Sequence, residues 1–340
     1  MATIKDVARL AGVGLGTASR AINGSGPVSP ATLERVRKAI DELGFRPSHA
    51  ARALLSGSSK MIGVYIPALS GTFFTPILQI IDTELRAAGL HMVVAFGVGL
   101  GNARRQALEG IEFLIERGCD GLIVMTSALD EDDLAVAGSR LSRLVALNHG
   151  FATIPDQCFT VDHMLGGRLA ARTLLENGHR DIALLTGPME LEDSVARIDG
   201  FLAELAAAGT DTTAMWRREG DFSPAAGWAA ARELVASGRK PTALFCANDE
   251  MAVGALSHFQ EAGIRVPHDL SVLAYDDTPS AEYAAPRLTS VRMPWQQMTL
   301  NGINQLLNLC YGLKRPVERD FPVTVTMRAS VAKLERQGSR

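Results

Sequence analysis

Only four cysteines occur in 340 residues, Cys119, Cys158, Cys246 and Cys310, and they are widely scattered. Their spacing fits neither a metal-ligand set nor a redox pair, so they read as buried free thiols in a reducing compartment. The seven histidines are equally dispersed, none paired at metal spacing. There is no nucleophile elbow, and no cofactor is expected. No stretch has the length and apolarity of a membrane span, and the N-terminus reads as a capped helix rather than a secretory signal, so a cytoplasmic location is expected. Net charge is low as well, at −3, but that near-neutrality conceals an asymmetry. Residues 1–60 hold nine Lys/Arg against four Asp/Glu, while the other 280 hold 25 against 33. A basic head on an acidic body fits a head that binds phosphates by releasing counterions. A solvated basic face would explain nine charges equally well, and only a motif can decide between the two.

The motif is there. In Thr3-Ile-Lys-Asp-Val-Ala-Arg-Leu-Ala-Gly-Val13, Thr3 can cap a helix with Asp6 completing a capping box, and Ile4, Val7, Ala8 and Ala11 share one face. Gly12 ends that helix cheaply in the left-handed conformation. A second helix follows from about Leu15 to Ile22, with Ala18, Ala21 and Ile22 inward. Two helices too short to stand alone, joined by a glycine turn, describe a helix-turn-helix whose second helix enters the DNA major groove. Ser29 and Pro30 then open a third helix carrying Leu33, Val36, Ile40 and Leu43, which Gly44 closes.

These residues, with Thr17-Ala-Ser-Arg-Ala-Ile-Asn23, Gly44-Phe-Arg-Pro47 and Ala51-Arg-Ala-Leu54, resemble the headpiece and hinge of the lac/galactose repressor family. The resemblance implies that Leu15, Gly16 and Arg20 read base edges while Thr17 and Ser19 face phosphates. Asn23, His49, Ala51 and Leu54 complete the implied DNA-facing set. It also implies that residues 48–55 form a hinge helix only on the operator, with Leu54 as the minor-groove wedge. Two departures stand out. Family members carry Ser or Thr where this chain has Gly14, and a bulkier residue at Ala18. Gly16 has no side chain to read a base and costs a helix interior roughly 1 kcal/mol relative to alanine. Specificity there falls to Leu15, Arg20 or DNA shape.

Pro47 to Lys60 joins head to body: an alanine-rich piece too short for a stable free helix, then Ser-Gly-Ser-Ser, a combination suited to ordering on binding. From Met61, near-continuous apolar strands alternate with amphipathic helices. Strands are expected at 61–66, 91–96, 121–125, 144–147, 159–162, 182–185, 243–246 and 272–275, with helices between them, including Arg197–Ala208. That alternation gives two doubly wound parallel-sheet lobes, with ligand outside the carboxyl ends of the strands. The resemblance sharpens the body into a periplasmic-binding-protein-like pair of lobes with crossovers near Val161, Val291 and Pro322. The expected divisions are a headpiece at 1–47, a hinge and linker at 48–60 and an effector-binding, dimerising body at 61–335. Within the body, lobe one takes 61–161 and 292–321, and lobe two takes 162–290 and 323–335.

Candidate ligand groups cluster at strand ends: Ser70, Phe73 and Phe74 after the first strand, Asn148 and His149 after 144–147, Asp162 after 159–161, Arg197, Phe222, Asn248 and Asp276. Carboxylates, an amide and an arginine beside aromatic faces suit a polyhydroxylated ring. Alone, Asn248 reads as a helix cap, Asp276 as a cap or the partner of an arginine, and Phe73 and Phe74 equally well as core. The resemblance raises all of them, and Leu191, where purine-responsive members carry arginine, favours a sugar over a nucleobase. Gly97-Val-Gly-Leu-Gly101 mimics a dinucleotide fingerprint but puts Asn102 in the third glycine's place. The reading is thus a non-enzymatic, homodimeric, sugar-responsive transcriptional regulator on a pseudo-palindromic DNA operator, most simply a repressor. The alternatives are a purine or other metabolite as effector, a transport-type sugar-binding protein, or a nicotinamide-dependent enzyme. No sustained heptads follow Val331, which argues against a coiled-coil tetramer.

Overall fold

The computed structural model describes residues 2–23, 26–45, 58–69, 71–98 and 101–334, in two units divided between Met61 and Ile62. The expected hinge residues His49, Ala51 and Leu54, and Ser70, lie outside the described residues.

The first unit holds three helices. In α1 (Ile4–Leu10) the capping box forms as the sequence predicts: Asp6 N donates to Thr3 Oγ1 at 3.4 Å and Thr3 N donates to Asp6 Oδ2 at 3.0 Å. Gly12 turns the chain at φ 61°, and α2 (Leu15–Asn23) starts on the Gly14 carbonyl, which accepts from Thr17 N and Ala18 N. Ser29 caps α3 (Pro30–Leu43), and Gly44 ends it in the left-handed conformation. Val7, Ala11, Val36 and Ala39 form the shared core, ringed by Val13, Ala21, Ile22, Ile40, Leu43 and Phe45. Small alanines at the centre let three short helices approach closely, so a core this small needs few residues.

The second unit runs β1 (Met61–Ile66), α4 (Phe74–Ala87), β2 (His91–Phe96), α5 (Ala103–Glu116), β3 (Gly121–Val124), β4 (Leu144–Leu147), β5 (Cys158–Phe159), α6 (His163–Glu176), β6 (Ile182–Thr186) and α7 (Glu192–Ala207). It continues through β7 (Arg217–Glu219), α8 (Pro224–Ala236), β8 (Ala243–Cys246), α9 (Asp249–Glu261), β9 (Ser271–Asp276), α10 (Pro279–Tyr283), β10 (Thr289–Arg292), α11 (Trp295–Tyr311) and β11 (Thr324–Thr326). Two sheets result, in the orders β2-β1-β3-β4-β5 and β11-β10-β9-β8-β6-β7. The strands from β3 to β5, and from β7 to β10, pair in parallel; β11 lies antiparallel to β10. This is the two-lobed α/β body expected, with an antiparallel edge added. The chain passes between the sheets three times, after β5, after β10 and after α11, which packs on β3 and β4 of the first sheet.

Two helix pairs cover the second sheet by backbone-to-backbone contact. An added Cβ on Gly167 of α6 would lie 1.9 Å from the Arg197 carbonyl of α7, and one on Gly200 of α7 would lie 2.0 Å from the Met164 carbonyl. Gly227 and Gly254 repeat the arrangement between α8 and α9. Only glycine permits these approaches, and the first of them sets where Arg197 sits. The predicted start of that helix needs correction. Arg197 does not open it: α7 begins at Glu192, so Arg197 stands more than a turn inside.

Candidate functional site

In the first unit, the face of α2 away from the core carries the DNA-facing residues that the sequence resemblance proposes. Leu15 is 47% exposed, Gly16 and Arg20 are exposed, and Thr17, Ser19 and Asn23 are half-buried. Arg20 Nη2 donates to Thr17 Oγ1 at 3.3 Å and Asn23 Nδ2 donates to Ser19 Oγ at 3.2 Å, so the polar groups are pre-aligned along one side. A Cβ added at Gly16 meets nothing within 4 Å. The site has room for a side chain that the sequence omits.

In the second unit a cavity of about 470 Å³ opens between the two sheets, at the carboxyl ends of their strands. Phe73, Phe74, Asn148, Arg197, Phe222, Asn248 and Asp276 all line it. Two other sequence candidates do not. Asp162 spends its carboxylate on the N-terminus of α6, accepting from Leu165 N at 2.8 Å. His149 is buried beside Phe151, with Nε2 2.9 Å from the Leu129 carbonyl. Both sit at strand ends, yet their side chains satisfy the local backbone.

Arg197 is the centre of the wall. It is 3% exposed. Its Nη1 donates to the Ala247 carbonyl at 2.8 Å, Nη2 to Asp193 at 3.2 Å and Nε to His163 Nδ1 at 3.3 Å. Asp276 Oδ1 stands 3.5 Å from Nη1, and the guanidinium lies 4.2 Å over the Tyr275 ring. Burial opposes its charge, but Asp276 and Asp193 hold its pKa above the ordinary arginine value. Burial likewise opposes ionisation of Asp193, and Arg197 with the Ser127 hydroxyl more than offsets it, keeping that carboxyl below the usual range. His163 is driven down to about 3 by burial and by Arg197, so it stays a neutral imidazole. Asp276, 5% exposed, is pushed well above the carboxylate range by burial despite Arg197, and its Oδ1 has no hydrogen-bond partner.

Backbone conformation singles out the same surface. Among the described residues, five non-glycine positions have positive φ: Lys60, Asn148, Phe222, Asp276 and Asp277. Three of them, Asn148, Phe222 and Asp276, line the cavity. Strained backbone of this kind persists where surrounding structure holds it and gathers at ligand-handling sites. At Asp276 the holder is Asp249, which accepts from Thr278 N at 2.6 Å, Thr278 Oγ1 at 2.9 Å and Ser290 Oγ at 2.6 Å. Burial raises the Asp249 pKa to about 7 even so.

Several lining residues were not singled out from the sequence. Asp193, Glu250 and Trp295 contribute to the wall, and His163 orients both Arg197 and Asn148, whose Oδ1 is 2.8 Å from His163 Nε2. Side-chain bridges join the lobes around the cavity, three of them made by lining carboxylates. Ser127 Oγ donates to Asp193 Oδ1 at 2.7 Å, Asn148 Nδ2 to Asp193 Oδ2 at 3.3 Å, and Thr72 Oγ1 to Glu250 Oε1 at 3.0 Å. The last contact depends on Gly71, where a Cβ would lie 2.4 Å from Glu250 Oε2. Nothing in the local sequence around 71 or 250 announces a partner 178 residues away. Among the described residues no cluster of His, Cys, Asp and Glu could hold a metal ion, and no helix is long and apolar enough to cross a membrane.

Comparison with known proteins agrees with this architecture. Residues 3–48 match the model for bacterial regulatory proteins of the lacI family, and residues 171–331 match a periplasmic binding protein-like domain. The chain is 36% identical over 309 residues to an HTH-type transcriptional repressor PurR of Vibrio parahaemolyticus, covering 90% of this chain and 91% of that protein. It superposes on a lac repressor dimer bound to operator and the anti-inducer ONPF, with a TM-score of 0.80, 29% identity and coverage of 97% and 99% of the two chains. A transcriptional regulator CelR–cellobiose complex gives a TM-score of 0.67 at 31% identity, covering 97% of this chain and 100% of that one.

Proposed function

Since the chain belongs to the lacI family of bacterial regulatory proteins and is a DNA-binding transcriptional regulator rather than an enzyme, we propose that its effector is a sugar or sugar derivative bound in the cavity between the lobes. The observation that carries this reading is the buried Asp276 carboxyl paired with Arg197 in the wall of a cavity that also has aromatic faces. Carboxyl and guanidinium groups pair with vicinal hydroxyls, and Phe73, Phe222 and Trp295 offer faces for the C–H side of a ring. The regulator known to take cellobiose has the same fold over nearly the whole chain. The second reading is a purine or another non-sugar metabolite, favoured by the aromatic wall and by likeness to a repressor named PurR. Leu191 at the cavity rim, where the resemblance places an arginine in purine-responsive members, supports the sugar.

The headpiece of residues 1–47 reads a pseudo-palindromic operator through Leu15, Arg20 and their neighbours, and two protomers present two headpieces. Effector and operator then alter each other's affinity by the same factor. Fluorescence anisotropy on DNA from upstream of the gene, titrated with sugars and purines, tests this. A sugar should shift operator affinity at least fivefold; a response to purines alone would replace the sugar with the second reading. Leu54→Ala should weaken operator binding tenfold or more while leaving effector affinity unchanged.

A further inference from the structure

The hydrogen-bonding capacity of the cavity is unbalanced. Five acidic side chains line it, Glu190, Asp193, Asp221, Glu250 and Asp276, against the single basic side chain of Arg197. Arg197 is already committed to Ala247, Asp193 and His163. The three amides are engaged too, Gln106 accepting from Val98 N. Asn148 donates to Asp193 and faces His163 through its oxygen, while Asn248 donates to the Phe222 carbonyl and accepts from Met251 N. Among the charged side chains of the lining, what remains is acceptors. The Asp276 Oδ1 has no hydrogen-bond partner and only the ionic contact with Arg197 Nη1 at 3.5 Å, and each of the other carboxylates offers more lone pairs than its contacts use.

We infer that the effector is rich in hydrogen-bond donors and carries no net negative charge, as a neutral polyol or an amino sugar does, and that phosphorylated or carboxylated forms of the same skeleton are rejected. The inference rests on the preceding reading only in placing the effector in this cavity. A ligand hydroxyl or ammonium donates to Asp276 and its neighbours, replacing the water these groups lose. Phosphate or carboxylate oxygens would instead face acceptors across a partly desolvated gap, where like charges repel most strongly. Even with the Asp276 pKa raised by burial, the four further acidic groups outnumber Arg197. Glu190 and Asp221, exposed at the mouth, turn anions away before they enter. The half-buried Phe73 and Trp295 rings, edge to face at 4.6 Å, add a surface that tolerates an ammonium and gives an anion nothing.

Isothermal titration of the full-length protein with matched series tests the charge rule: glucose, glucosamine, glucose 6-phosphate and glucuronate, the same set on galactose and ribose, and adenosine beside its 5′-monophosphate. In whichever series binds, the neutral or amine member should bind at least a hundredfold more tightly than its anionic counterpart. Glu190→Gln combined with Asp221→Asn, both at the exposed mouth, should narrow that ratio by at least threefold. An anionic member within tenfold of its neutral counterpart overturns the inference, and so does a ratio indifferent to the two substitutions. Binding confined to adenosine would overturn the sugar assignment while leaving the charge rule supported. Binding by no member of any series would overturn both.

Discussion

Arg197 gathers more of the candidate site than any other residue. Its guanidinium ties the floor of the cavity to Ala247, Asp193, Tyr275 and His163. Removing it leaves the Asp193 carboxylate buried without its counter-charge, a change that costs about 3–5 kcal/mol in comparable buried pairs. Arg197→Ala should therefore lower the melting temperature by circular dichroism and abolish effector response, while operator binding persists below that temperature. His163 makes a separate prediction through pH. Its ordinary value of 6.5 is depressed to about 3 in the folded protein, so between those values the unfolded chain binds a proton that the folded one refuses. Stability contributed by the neutral imidazole is present above about pH 6.5 and is lost as pH falls toward 3. His163→Gln should flatten the decline of stability across that window, measured by chemical denaturation at several pH values; an unchanged slope would remove His163 from the account.

At the scale of elements, legibility followed the signals that each element carries. The strands β1, β4 and β8 end where the apolar runs do, because a buried parallel strand is written as an uninterrupted hydrophobic stretch. The helices α1 and α3 were legible from Thr3, Asp6, Ser29, Pro30 and Gly44, residues that make the caps themselves. By contrast, α7 starts after Leu191 and α11 after Pro294, neither of which forms a side-chain cap. Without a cap to mark it, the first start reads from the sequence as Arg197, and the second carries no signal. In the cavity, Asn248 and Asp276 are visible at strand ends, whereas the roles of Glu250 and Trp295 depend on contacts with elements far away in sequence. The same reasoning separates two glycines. Gly16→Ala adds a methyl to open space in α2 and should stabilise the headpiece by about 1 kcal/mol. Gly200→Val drives a side chain into the Met164 carbonyl and should cost about 3 kcal/mol or more, with loss of effector affinity as α7 shifts. Thermal melts of the two variants should move in opposite directions.

Across the whole molecule the uneven charge has a measurable signature. The 13 charged side chains of residues 1–60 carry a net positive charge and those of the remaining 280 a net negative one. Operator affinity should fall steeply with salt, with a log–log slope of at least about −3, while effector affinity for a neutral ligand should scarcely change. A salt-independent operator affinity would be incompatible with phosphate contacts by the headpiece.

The closing segment of the body gives the fold an order of completion. Ser330 is fully buried; its hydroxyl donates to the Val272 carbonyl and accepts from Thr289 N, while Val272 N donates to its carbonyl. Leu334 N reaches back to the Asn177 carbonyl, and His179 Nε2 meets the carbonyl of Ala332. Residues 324–334 are therefore the last stitch of a sheet begun near residue 182. A nascent chain has every other strand of both sheets in hand before this seam can close, and a nonsense codon at Pro322 would leave β10 a raw edge open to chaperones and proteases.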